Sequence, residues 1–81
     1  MVNKEERRRK ETAYTKYHYG RIKLDQKECA KAIHYFTKAI ELDDKIEEVY
    51  YWRGRAHNEA QNWEAARTDL TKGLSYFQSN L

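Results

Sequence analysis

The chain contains no proline, three glycines, one cysteine and one methionine in 81 residues. Because helix breakers are scarce and Ala, Glu, Lys, Arg, Gln and Leu are common, the composition favours helices over strands. A single cysteine, Cys29, excludes an internal disulfide and a cysteine-rich zinc site. The N-terminus lacks the apolar run of a signal peptide, and a content of 36% charged residues is too polar for a transmembrane protein. We therefore expect a cytoplasmic protein.

The length corresponds to one domain near the lower size limit for a stable core, which excludes most enzymes. The formal net charge is +3, and residues 1–12 carry five basic and three acidic side chains, a net +2. The rest of the chain is therefore almost balanced in charge. We interpret residues 1–12 as a charged, solvated N-terminal helix extension.

An internal repeat divides the chain. Shifting the sequence by 34 residues superposes identical residues at six positions: Tyr17 on Tyr51, Gly20 on Gly54, Arg21 on Arg55, Ala32 on Ala66, Thr37 on Thr71 and Lys38 on Lys72. We call this shift the repeat offset. Similar residues coincide at the same offset, such as Phe36 with Leu70 and Ile40 with Leu74. The chain therefore consists of two copies of one unit, at 13–46 and 47–81.

Apolar residues spaced by three and four positions indicate two helices in each unit. The predicted helices cover residues 4–24, 27–42, 47–60 and 63–77, and the stripe of the last one begins at Trp63. Asp25 with Glu28 three residues later, and Asn62 before Trp63, are the predicted start signals of the second helix in each unit.

The segments CAKAIHYFTKAIELDDK and YYWRGRAHNEAQNWEAARTDLTKGL place small and large residues at a spacing that resembles the tetratricopeptide repeat (TPR) family, whose unit has a period of about 34 residues. The resemblance implies an all-α fold in which two helix-turn-helix hairpins stack as a short right-handed α-solenoid. Lys16 and Lys23 depart from the family pattern. We therefore expect the first helix to be shifted by one residue, with Tyr17 and Leu24 packing instead.

The resemblance also implies a non-enzymatic protein–protein interaction module, an adaptor or co-chaperone-like scaffold, whose concave groove binds a peptide or helix of a partner. Carried onto this chain, the groove residues are Tyr14, Tyr17, His18, Arg21, Tyr51, Trp52, Arg55 and Asn58. Arg21 and Arg55 have the same helical phase and suit an acidic or carboxylate-bearing peptide. Inter-repeat packing is the alternative role for Tyr17 and Tyr51. The family's clamp for chaperone C-termini is poorly matched, so that ligand is not expected.

Other functions are less well supported by the residues. Nucleic-acid binding through Arg7, Arg8, Arg9, Lys10 and the groove arginines is the alternative from another class. The three histidines are too scattered for a metal site, and no phosphate loop or catalytic constellation is apparent, so we expect no cofactor and no enzymatic activity. With only two repeats, no neighbouring repeat buries the apolar side of the last helix. An assembly surface for a homo-oligomer is expected at Leu70, Leu74, Phe77 and Leu81, unless the chain is a designed repeat protein or a fragment of a longer array.

Overall fold

Four helices follow one another as two antiparallel hairpins. The computed structural model describes residues 3–79 of the chain and, within the last helix, all side chains except those at positions 76, 77 and 79. The helices are α1 (Lys4–Asp25), α2 (Cys29–Leu42), α3 (Glu47–Glu59) and α4 (Trp63–Ser79). Their ends lie within two residues of the predicted ones. Residues 3–79 contain no strand, and the all-α prediction is confirmed.

Each hairpin is closed at a glycine. A Cβ atom added to Gly20 of α1 would lie 2.5 Å from Cε1 of Phe36 in α2, and one added to Gly54 of α3 would lie 2.8 Å from Cγ of Leu70 in α4. The two contacts are related by the repeat offset. Because glycine lacks a side chain, the paired helices approach closely enough for Phe36 to become fully buried.

The turns inside the hairpins also repeat. Lys27 and Gln61 have φ angles of 64° and 65°, the left-handed conformation that commonly ends a helix. In the first turn the N–H of Glu28 then donates to the carbonyl of Lys23 at 2.9 Å. The predicted start signal at Asp25 and Glu28 is wrong, because Asp25 is still the last residue of α1 and Glu28 makes no capping hydrogen bond.

The core lies between α1, α2 and α3, and α3 packs against both α2 and α4. Tyr17 and Leu24 are buried, whereas Lys16 and Lys23 remain half-exposed, which confirms that Tyr17 and Leu24 pack in the core. The charged residues 4–12 continue α1 as an exposed helical extension. Asn3 caps it, because its side-chain oxygen accepts the N–H of Glu6 at 2.8 Å.

Candidate functional site

A groove of about 420 Å³ runs between α1 and α3. Its walls come from one face of each helix and from the turn after α1, and they consist of His18, Arg21, Ile22, Leu24, Asp25, Lys27, Trp52, Arg55 and Glu59. Four of the predicted groove residues therefore come together here: His18, Arg21, Trp52 and Arg55.

In this groove one indole ring contacts two guanidinium groups. The Cζ atom of Arg21 lies 4.2 Å from the ring centroid of Trp52, and that of Arg55 lies 5.0 Å from it. Arg21 reaches the ring from α1, whereas Arg55 follows Trp52 by three residues on α3. Neither guanidinium lies within ion-pair distance of a carboxylate in residues 3–79. Cation–π contact orients both groups while their N–H donors stay accessible.

A polar contact at the groove joins the first turn and the start of α2 to α3. Nζ of Lys27 lies 3.7 Å from the Glu59 carboxylate, and the Cys29 thiol lies 3.7 Å from the same carboxylate. Burial raises the pKa of the Cys29 thiol, and the charge of Glu59 raises it further. Cys29 therefore stays protonated at neutral pH and is a poor nucleophile.

Tyr17 packs in the core and does not line the groove. Its side chain is only 2% exposed, and its hydroxyl donates a 2.9 Å hydrogen bond to the Glu48 carboxylate of α3. Burial, followed by this hydrogen bond, raises the pKa of Tyr17 to about 12. The expectation that Tyr17 contacts a partner is thus corrected, because packing between the hairpins removes its ring from the surface.

The remaining predicted groove residues lie at the edges or outside. Tyr14 is 39% exposed but lies in a neighbouring depression with Lys10 and Glu48. Tyr51 is half-buried and meets the Trp52 ring edge-on at 5.4 Å. Asn58 is exposed and does not line the groove. The structure therefore brings half of the predicted partner-binding residues to one place.

The predicted assembly surface is only partly present. Leu70 packs on Gly54 inside the second hairpin, which corrects its assignment to an outer surface. Leu74 is 47% exposed, whereas Leu81 and the side chain of Phe77 lie outside the described residues. Trp63 is 61% exposed, so the buried stripe of α4 begins at Ala66.

An ion-pair network between α3 and α4 was not anticipated from the sequence. Nε and Nη2 of Arg53 donate to the two carboxylate oxygens of Asp69 at 2.6 and 2.9 Å, and Asp69 is 5% exposed. This hydrogen-bonded carboxylate raises the pKa of Arg53. His57 lies 3.9 Å from Asp69, yet burial is the larger effect and lowers the pKa of its imidazole.

The sequence did contain a signal for this network. Arg53 and Asp69 are the counterparts, at the repeat offset, of Tyr19 and Tyr35, whose rings contact each other at 5.6 Å in the first hairpin. An aromatic pair and an ion pair therefore occupy equivalent positions. A search for paired differences between the two repeats could have identified the contact.

Nowhere between residues 3 and 79 do three His, Cys, Asp or Glu side chains converge to hold a metal ion. Of the described helices, none has the length and apolar character needed to cross a membrane.

Comparisons with family models, curated proteins and solved structures gave no match to this chain.

Proposed function

We propose that this chain is a non-enzymatic protein-interaction module of the tetratricopeptide type, and that its groove binds an acidic peptide segment of a partner protein. The observation that carries the proposal is the stack of Arg21, Trp52 and Arg55. It combines two guanidinium groups that have no carboxylate partner in the described part of the chain with a large aromatic surface.

The repeat geometry supports the assignment to this type. The glycine contacts at Gly20 and Gly54, and the left-handed turns at Lys27 and Gln61, recur at the repeat offset. A helix pair of this length with a small residue at its crossing is the unit from which such arrays are built.

The chemistry of the groove supports a peptide carboxylate as the ligand. Guanidinium groups pair with carboxylates through two parallel N–H···O bonds. Contact with Trp52 already restricts the arginine side chains, so they lose less conformational entropy when a carboxylate binds. The exposed parts of the indole can bury an apolar side chain next to the carboxylate. Lys27 already faces the Glu59 carboxylate at 3.7 Å, whereas Arg21 and Arg55 have no carboxylate partner among residues 3–79.

Tryptophan fluorescence gives a direct test. In a Trp63→Phe background Trp52 is the sole tryptophan, and Trp63 is 61% exposed, so the replacement leaves the groove unchanged. The probe is a pool of short peptides ending in Asp or Glu with a free carboxylate, compared with the same peptides amidated. We expect the free acids to change Trp52 emission and the amidated forms to bind more weakly.

Variants then assign the binding to the two arginines. Arg21→Ala and Arg55→Ala should each weaken peptide binding by about tenfold or more, which corresponds to about 1.4 kcal/mol. Arg8→Ala removes the same charge from the exposed extension and serves as the matched control, with no expected effect. Equal losses in all three variants, together with steep salt-dependent binding of a single-stranded oligonucleotide, would contradict the proposal in favour of nucleic acid.

A further inference from the structure

The contact between α2 and α3 joins the two hairpins. On α3 this face is formed by Val49, Arg53 and Ala56, which are spaced by four and three residues and therefore lie on one side of the helix. Val49 and Ala56 are completely buried. Nη1 of Arg53 donates to the hydroxyl of Thr37 in α2 at 3.3 Å.

The same face of α1 is uncovered. The equivalent residues, one repeat earlier, are Thr15, Tyr19 and Ile22, and all three are exposed. Tyr19 is 49% exposed and Ile22 is 50% exposed, although the counterpart of Ile22 is completely buried. We call these three residues the head face. It is the surface on which a preceding hairpin would pack.

The opposite end of the molecule shows the complementary situation. The residues of α2 that share the side facing α3 are half-buried, and they are Cys29, Ile33, Thr37 and Ile40. Their counterparts in α4 are all exposed, and they are Trp63, Arg67, Thr71 and Leu74. We call these four residues the tail face.

We propose that a second copy of this chain packs its head face onto the tail face of the first, so that the α2–α3 contact is repeated between chains. Four of the five large hydrophobic side chains that are exposed among the described ones lie on these two faces, namely Tyr19, Ile22, Trp63 and Leu74. Burying them together removes apolar surface from water at both ends of the molecule.

The two faces differ from each other, so the association is heterologous and leaves one head face and one tail face free in every complex. It therefore grows as an open row of copies instead of closing as a symmetric dimer. Ile22 and Trp63 are larger than Ala56 and Cys29 at the equivalent internal positions. The helices at the junction consequently lie farther apart than α2 and α3, and the association is weak. Ile22 lines the groove as well as the head face, but the groove arginines belong to neither face, so self-association is tested separately from peptide binding.

Sedimentation equilibrium of the full chain, from about 10 μM to about 1 mM, tests the proposal in the range where small interfaces associate. Leu74→Lys blocks the tail face, and Tyr19→Lys blocks the head face, with Thr15→Lys as a second head-face variant. Each should weaken self-association at least about tenfold. Thr68→Lys adds the same charge at an exposed position of α4 outside the tail face and should leave association unchanged.

Mixing the variants gives the decisive result. Leu74→Lys retains an intact head face and Tyr19→Lys retains an intact tail face, so an equimolar mixture should form a one-to-one dimer and nothing larger. That dimer also shows that both variants are folded, and circular dichroism of each provides a separate check. The proposal is overturned if the wild-type chain stays monomeric up to the highest concentration, if folded head-face variants still dimerise, or if the mixture of folded variants remains monomeric.

Discussion

Replacing Asp69 by Asn should destabilise the protein strongly, because its carboxylate holds the Arg53 guanidinium between α3 and α4. The side chain of Asp69 is 6% exposed and that of Arg53 is 21% exposed. Removing one partner of a fully buried pair costs about 3–5 kcal/mol, and the partial exposure of Arg53 reduces this to about 2 kcal/mol. A chain of 81 residues has a total stability of about 4–12 kcal/mol, so the loss is a large fraction of it.

Urea unfolding followed by far-UV circular dichroism measures this loss. With a slope of about 1 kcal/mol per M, the transition midpoint should fall by about 2 M. Asp44→Asn changes an exposed carboxylate in the α2–α3 turn and is the control, with an expected effect below about 0.5 kcal/mol. If Asp69→Asn shifts the midpoint no more than this control, the ion pair does not stabilise the hairpin as argued.

The first hairpin suggests a compensating variant. Because Tyr19 and Tyr35 occupy the equivalent positions, the double replacement of Arg53 and Asp69 by tyrosine should recover most of the stability that Asp69→Tyr alone removes. An apolar pair in place of a buried ion pair is often neutral or stabilising. A double variant as unstable as the single one would show that the two hairpins do not share equivalent packing at this position.

Three more changes test the fold. Gly20→Ala should lower the free energy of unfolding by about 2 kcal/mol, because the new Cβ would lie 2.5 Å from the buried ring of Phe36; an unchanged melting temperature would contradict the close approach. Gln61→Gly should raise the free energy of unfolding by up to about 1 kcal/mol, because glycine adopts a φ of 65° without strain, and a loss in urea unfolding would refute this. Because the pKa of Tyr17 is raised, its contribution to stability is fully present below pH 10 and is lost as the pH rises towards about 12. Urea unfolding measures this loss. Tyr17→Phe should remove the pH dependence, because it removes the hydroxyl that donates to Glu48.

Several features of the fold could be predicted from residue spacing alone. The repeat offset located the hairpins, and the periodic apolar residues located the four helices to within two residues. The departures at Lys16 and Lys23 correctly indicated that Tyr17 and Leu24 face the core. These features are local or repeat along the chain, and helical geometry converts them directly into positions on a face.

Half of the candidate groove could not be assigned in this way. Tyr17 and Tyr51 occupy equivalent positions, yet Tyr17 is buried whereas Tyr51 is half-buried. The burial of a given face depends on which helices flank it. α1 packs against α2 and α3, and Glu48 of α3 accepts the hydrogen bond of the Tyr17 hydroxyl, whereas α3 packs against α1, α2 and α4.

The sequence by itself thus determined the class of the fold, the length of the repeat and the phase of each helix, because these follow from short-range spacing and composition. Tertiary structure alone decided that Arg21 and Arg55 share the ring of Trp52, and that Arg53 meets Asp69. The Arg21–Trp52 and Arg53–Asp69 contacts join side chains on different helices, whereas Arg55 follows Trp52 on α3 itself. Distances between side chains on different helices depend on how closely those helices approach. For Arg53 and Asp69 the contact of Gly54 with Leu70 helps to set this approach, and no local pattern encodes the approach of α1 to α3.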